Sequence, residues 1–231
     1  MGVIAAYART GGMPPADDER LEVDADGAWR LWRTMGGERV GSFRGRLSAD
    51  RRRRLARALE AAQAAPPART SARARPDGAH EAFRAGRRVL VVPAGQPVAG
   101  GWAPLVRLVR RWSVAFARVP DAEAALGLEL RASGPAIVRH GGEPLRVWPP
   151  TLHADAYARD AAGIVVGRGS VDDDGAPPGG AVATGPGWSL PVSRLPIPST
   201  PPGGRLEVWA WLDIEGPDGA VTVRLVATAP A

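Results

Sequence analysis

The stretch "RLEVWAWLDIEGPDGAVTVRL", residues 205–225, decides what kind of fold this chain builds. Leu206, Val208, Ala210, Leu212 and Ile214 fall on one parity. Pro217-Asp218-Gly219 is a turn signal, and Val221, Val223 and Leu225 then resume the alternation. A period of two belongs to a strand, so the stretch predicts an antiparallel hairpin with one apolar face. The opposite parity reads Glu207, Trp209, Trp211, Asp213 and Glu215. Two indoles on the parity that should meet water need cover, so Trp209 and Trp211 are expected at an interface, between two domains or with a partner chain. The acids around them would complement an arginine-rich surface such as Arg51–Arg54 or Arg107–Arg111.

The same character extends back to about Asp121. Leu126, Leu128 and Leu130 alternate, Ile137 and Val138 precede the turn His140-Gly141-Gly142, and Leu145 and Val147 continue. Short strands at this spacing predict a β-sandwich of immunoglobulin type over residues 119–231, built without the usual disulfide because the chain has no cysteine.

Residues 1–118 read differently, as an α+β domain in which strands and then a helix occur twice. Gly2–Arg9 is a strand ended by Gly11 and Gly12. Leu21 and Val23, the turn Asp26-Gly27, and Trp29–Arg33 form a hairpin, and Gly36-Gly37 leads to a strand over Arg39–Phe43. Ser48 is an N-cap, and Leu55, Ala58, Leu59 and Ala62 recur at helical spacing up to about Ala64. Residues 66–79 are rich in Pro, Ala and Arg and form a loop. A second hairpin follows, Glu81–Arg84 and Arg87–Val92 about the turn Ala85-Gly86, then a helix with Pro104 in its first turn and a stripe of Leu105, Leu108, Val109 and Trp112. The fold class is thus α+β, with N-terminal antiparallel strands and two helices followed by the sandwich.

All 30 basic residues are arginine, as a GC-rich coding sequence produces, and the formal charge is +6. Its distribution is uneven: residues 50–118 hold 15 arginines against Asp50, Glu60, Asp77 and Glu81, while the flanks are net acidic. Four arginines, Arg51, Arg52, Arg53 and Arg54, open the first helix. At about 100° per residue they sweep most of the way around it, so they form no single face, and they oppose the helix dipole. Two readings follow: a solvated or intramolecularly paired helix end, or an anion-binding site that would let segment 50–118 act in a nucleic-acid-associated adaptor.

Catalytic patterns are absent. Gly95 and Gly100 have phosphate-loop spacing, but Gly101 and Trp102 stand where Lys and Ser or Thr are required. Asp172, Asp173, Asp174 and Gly175 resemble half a calcium loop, with Ala181 where its glutamate belongs. Gly167 and Gly169 lack the third glycine of a dinucleotide site. His153 and Asp155 share a strand face that His140 could join in a metal site, but no complete ligand set is spaced for one. No cofactor and no metal are expected. No apolar run of 18 residues is present and Ala6 breaks a myristoylation signal, so no membrane partner is expected and a cytosolic protein is the default.

The opening "VIAAYARTGGM", a strand ending in Arg-Thr-Gly-Gly, followed later by the helix "LARALEAAQ", resembles small emfourin-like inhibitors of thermolysin-type metalloproteases. The likeness spans about a quarter of the chain. The family usually has an aromatic after the glycine pair, where this chain has Met13. The resemblance implies that Arg9, Gly11, Gly12 and Met13 would contact a protease. The reading that results is a non-catalytic, cytosolic protein-binding module whose partner is another protein or a second copy, with the nucleic-acid adaptor as the alternative.

Overall fold

The computed structural model describes residues 2–11, 18–35, 40–66, 78–118, 125–142, 144–172, 181–185, 187–216 and 219–231, with nothing said of the side chains of 149–152. Gly12 and Met13, the Gly36-Gly37 turn, residues 67–77 of the Pro/Ala/Arg-rich loop, Asp173–Gly175 and the Pro217-Asp218 turn lie outside these. The chain divides into two compact units, one of Met1–Arg33 with Ser42–Glu123, the other of Thr34–Gly41 with Ala124–Ala231. It is largely antiparallel β, and the two α-helices of the described residues both belong to the first unit.

The first unit is built on six strands, β1 (Val3–Thr10), β2 (Asp18–Asp24), β3 (Ala28–Thr34), β4 (Gly41–Arg46), β5 (His80–Ala85) and β6 (Arg88–Pro93), in the order β4-β3-β2-β1-β5-β6. Helix α1 (Ala49–Ala64) connects β4 to β5, and α2 (Ala103–Phe116) follows β6. Alternation sorts the strands into faces. Ala5, Tyr7, Leu21, Val23, Trp29, Leu31, Phe43, Phe83, Ala85 and Leu90 are buried, together with Leu55, Ala58, Leu59 and Ala62 of α1 and Leu105, Val106, Val109, Trp112 and Phe116 of α2. Trp29 stacks on Phe116 with ring centroids 4.0 Å apart, tying strand to helix. The Ser48 hydroxyl accepts from the Arg51 amide and caps α1 as its sequence requires. Gly101, which stands where a phosphate loop would have its lysine, serves packing: a Cβ there would sit 2.4 Å from the Ala61 carbonyl oxygen, so a bare α-carbon is what lets the turn before α2 lie against α1.

The second unit contains β7 (Leu126–Arg131), β8 (Gly134–Arg139), β9 (Arg146–Arg159), β10 (Val165–Asp172), β11 (Val182–Ala183), β12 (Ser189–Pro191), β13 (Arg205–Gly216) and β14 (Gly219–Pro230). They form two sheets, β12-β8-β7 and β10-β9-β13-β14, with β11 also on β9. The parity read from the sequence is the buried one: Val208, Ala210, Leu212 and Ile214 of β13 are fully covered, as are Val223 of β14 and Ala154, Ala156 and Ala158 of β9. Ile137 and Val138 of β8 are buried as well. Gly169 of β10 faces the backbone of Pro196, whose oxygen would lie 1.8 Å from an added Cβ, so the Gly167/Gly169 pair admits a crossing segment.

Candidate functional site

One end of the first unit's sheet carries a charged layer beneath exposed loops. Along β1 the inward parity runs Ala5, Tyr7, Arg9, so Arg9 follows two buried residues and stands in register with Glu19 of β2 and Glu81 of β5. Both glutamates are buried. Arg33 lies 3.6 Å from Glu19. Glu81 is the hub: Tyr7 Oη donates to its Oε1 at 3.1 Å, the Gly95 amide donates to its Oε2 at 2.9 Å, and Arg110 of α2 donates to both oxygens. Arg110 also donates to the Gln96 carbonyl at 2.9 Å and lies over the Phe83 ring. Four donors thus converge on this buried carboxylate, two on each oxygen, which offsets the cost of taking its polar atoms out of water. Burial, with the charges of Glu19 and Glu81 and the hydrogen bond to Glu81, pushes the Tyr7 phenol far above the ordinary tyrosine value.

Above this layer Thr10, Gly11, Gly95 and Gln96 are exposed. Gly11 has φ 92°, and its α-carbon meets the Gly78 backbone closely enough that a Cβ would come within 3.3 Å of the carbonyl oxygen. The strand end carrying Arg-Thr-Gly is therefore fitted against the entry to β5. Of the four residues implied by the family resemblance, Gly11 is on the exposed rim and Arg9 is half-buried below it, while Gly12 and Met13 lie outside the described residues.

The second unit presents Trp209 and Trp211 on the outer face of β13, both half-buried, with ring centroids 5.8 Å apart. Cover comes from the neighbouring strands. Arg224 of β14 lies 4.8 Å from the Trp209 ring centre, Tyr157 of β9 meets Trp209 edge-on, and His153 lies against Trp211. The Trp209 indole N–H donates to Glu207, which Arg159 also holds at 2.7 Å. Burial raises the Glu207 carboxyl, but donors from Arg159 and Trp209 outweigh it and leave the group below its usual range. Buried Asp155 behaves likewise, with Tyr157, Ser170 and Arg168 overcoming burial. The acids beside the indoles have counterparts inside this unit: Arg159 for Glu207, Arg146 for Glu215, and the Thr222 hydroxyl for Asp213. His153 pairs with Asp172, whereas His140 packs over Gly127 in the other sheet. Among the described residues no three His, Asp or Glu side chains gather as metal ligands.

The arginine run also resolves residue by residue. Arg51 lies over Phe116 at 5.4 Å, the stem of Arg52 covers Gly27, and Arg53 and Arg54 both pair with Asp50 of their own helix. No described helix is long and apolar enough to cross a membrane.

No family model, curated protein or solved structure matches this chain.

Sequence reasoning passed over Glu81, Arg110 and Tyr7. The signal was present in "HEAFRA", where alternation sets Glu81 on the same parity as Phe83 and Ala85. A charge on the inward face of a strand marks a paired, buried group.

Proposed function

We propose that the chain is a non-catalytic, cytosolic protein-binding module whose contact surface is the loop end of the first unit, around Thr10, Gly11, Gly95 and Gln96, and that a thermolysin-type metalloprotease is the partner to test. One observation carries this reading: the exposed rim rests on the Glu81 hub, which holds the Gly95 amide directly and the Gln96 carbonyl through Arg110. Loops held in place before binding lose little conformational entropy in a complex, which is what a tight protein ligand needs. The resemblance of Arg9–Met13 to emfourin-like inhibitors points to the same loop end. We further propose that the second unit is an immunoglobulin-like sandwich; the orders β12-β8-β7 and β10-β9-β13-β14 support this, with β10 on the larger sheet.

The experiment is a titration of the whole chain into a thermolysin-type protease assay. The reading expects stoichiometric loss of peptide hydrolysis, relieved by Gly11→Asp in a protein whose melting profile shows the fold retained. Unchanged hydrolysis at a large molar excess of the chain would discard the protease.

A second reading has its own support. On α2 the exposed positions Arg107, Arg111 and Val114 form a stripe that Arg118, just past the helix end, continues, and no ion pair of these three arginines is found among the described residues. Such a stripe fits a polyanion, and binding would weaken steeply with salt. Retention of duplex DNA at low salt that is lost in Arg107→Ala/Arg111→Ala would favour it over the protease.

A further inference from the structure

The two edges of the first unit's sheet are treated differently by the sequence. Edge strand β4 carries exposed Arg44 and Arg46, the latter paired with Asp26. Charges of this kind block strand addition. Edge strand β6 reads Arg88-Val89-Leu90-Val91-Val92-Pro93, with no charge after its first residue. Arg88 is itself engaged, its guanidinium donating to the Gln63 and Ala65 carbonyls at the end of α1. Among the described residues β6 has one neighbour, β5.

The backbone polarity of β6 follows from its turn. Gly86 and Arg87 form a two-residue loop with Gly86 at φ 61°, so Ala85 and Arg88 close the hairpin as a hydrogen-bonded pair. Alternation then gives Phe83/Leu90 and Glu81/Val92 as the other bonded pairs. Val89 and Val91 are the residues between, and their N–H and C=O groups point away from β5, along the open edge. Their side chains are also the exposed ones, at 57% and 40%, while Leu90 is buried against the core.

We propose that β6 is a self-association edge: two copies of the chain pair their β6 strands antiparallel about a twofold axis at Leu90. In that register Val89 of each copy bonds with Val91 of the other, so all four free backbone groups of each strand are used and the exposed valines of both copies meet on one face. Pro93, which has no N–H to give, falls outside the bonded pairs. The fit favours a second copy by charge as well. Arg88 stands opposite uncharged Val92 of the other copy, and the two Arg87-Arg88 ends lie at opposite ends of the joint, so no like charges face each other. The inference does not depend on the loop-end reading, which uses other residues.

Sedimentation of the full chain over a range of concentrations, combined with residue-resolved amide exchange, tests the edge. A dimer is expected, with the Val89 and Val91 amides exchanging about tenfold or more slowly at high concentration than at low. Leu90 and Val92, bonded to β5, should be protected at every concentration. Val91→Lys alters an exposed side chain and leaves the β5 ladder intact; it should yield a monomer that melts as the unsubstituted chain does at concentrations too low for pairing. A chain that stays monomeric throughout overturns the proposal. So does a dimer whose Val89 and Val91 amides exchange freely, or one that Val91→Lys leaves intact, since association would then use another surface.

Discussion

Arg110 closes on the carboxylate of Glu81 with two nitrogens, Nε 3.2 Å from one oxygen and Nη2 on the other, and in the same reach holds the Gln96 carbonyl. Removing one partner from a buried pair leaves the other without compensation, which is worse than never having the pair. Glu81→Gln should therefore lower the first unit's stability by about 3 kcal/mol in denaturant unfolding. Arg110→Met should cost a comparable amount, and the double variant clearly less than the two together. Additive losses would show that the two side chains act separately.

The protein has two tyrosines, and both phenols lie above the ordinary value of about 10. For Tyr7 the cause is burial, then the charges of Glu19 and Glu81; for Tyr157 it is burial, then the hydrogen bond to Asp155. Above about pH 10 the unfolded chain releases phenolic protons that the native state keeps, so stability must fall as pH rises. In Tyr157→Phe, absorbance titration should show the remaining phenol resisting ionisation until the protein unfolds. A native Tyr7 that titrates like free tyrosine would contradict the buried contact with Glu81.

Among the four arginines opening α1, only Arg51 has an aromatic partner, Phe116, among the described residues. Arg51→Ala should cost about 0.5 kcal/mol in thermal unfolding. Arg53→Ala and Arg54→Ala, whose pairs with Asp50 are exposed, should change stability by less than about 0.5 kcal/mol. A large loss from either would reveal a structural role that their surface pairing does not explain.

Replacing Trp209 and Trp211 together by serine removes two half-buried rings but leaves Val208, Ala210, Leu212 and Ile214 in the core. The second unit should remain folded by circular dichroism while losing about 3 kcal/mol in unfolding. Arg224→Ala should take a small part of that loss, because it uncovers the Trp209 face. Collapse of the β signal in the double variant would show that the rings belong to the core.

What the sequence determined by itself was local and periodic. The alternation of Leu206–Ile214 set the inward face of β13, the Leu55/Ala58/Leu59/Ala62 stripe set the buried side of α1, Ser48 set its start, and Gly86 marked the β5–β6 turn, which the pairing of Ala85 with Arg88 puts at Gly86-Arg87, one residue beyond the Ala85-Gly86 read from the sequence. Each of these follows from backbone geometry over a few residues, which is written in the order of the side chains. Tertiary structure alone decided which strands became neighbours. β1 lies between β2 and β5, whose residues 80–85 come some 70 positions later, and that placement puts Arg9 between Glu19 and Glu81. It likewise brought Arg110 from a helix to Glu81 on a strand, Arg224 to Trp209, and Asp50 rather than a distant acid to Arg53 and Arg54. Charges and indoles carry no periodic address: their energy depends on which donor or acceptor stands a few ångströms away, and only the packed chain makes that choice.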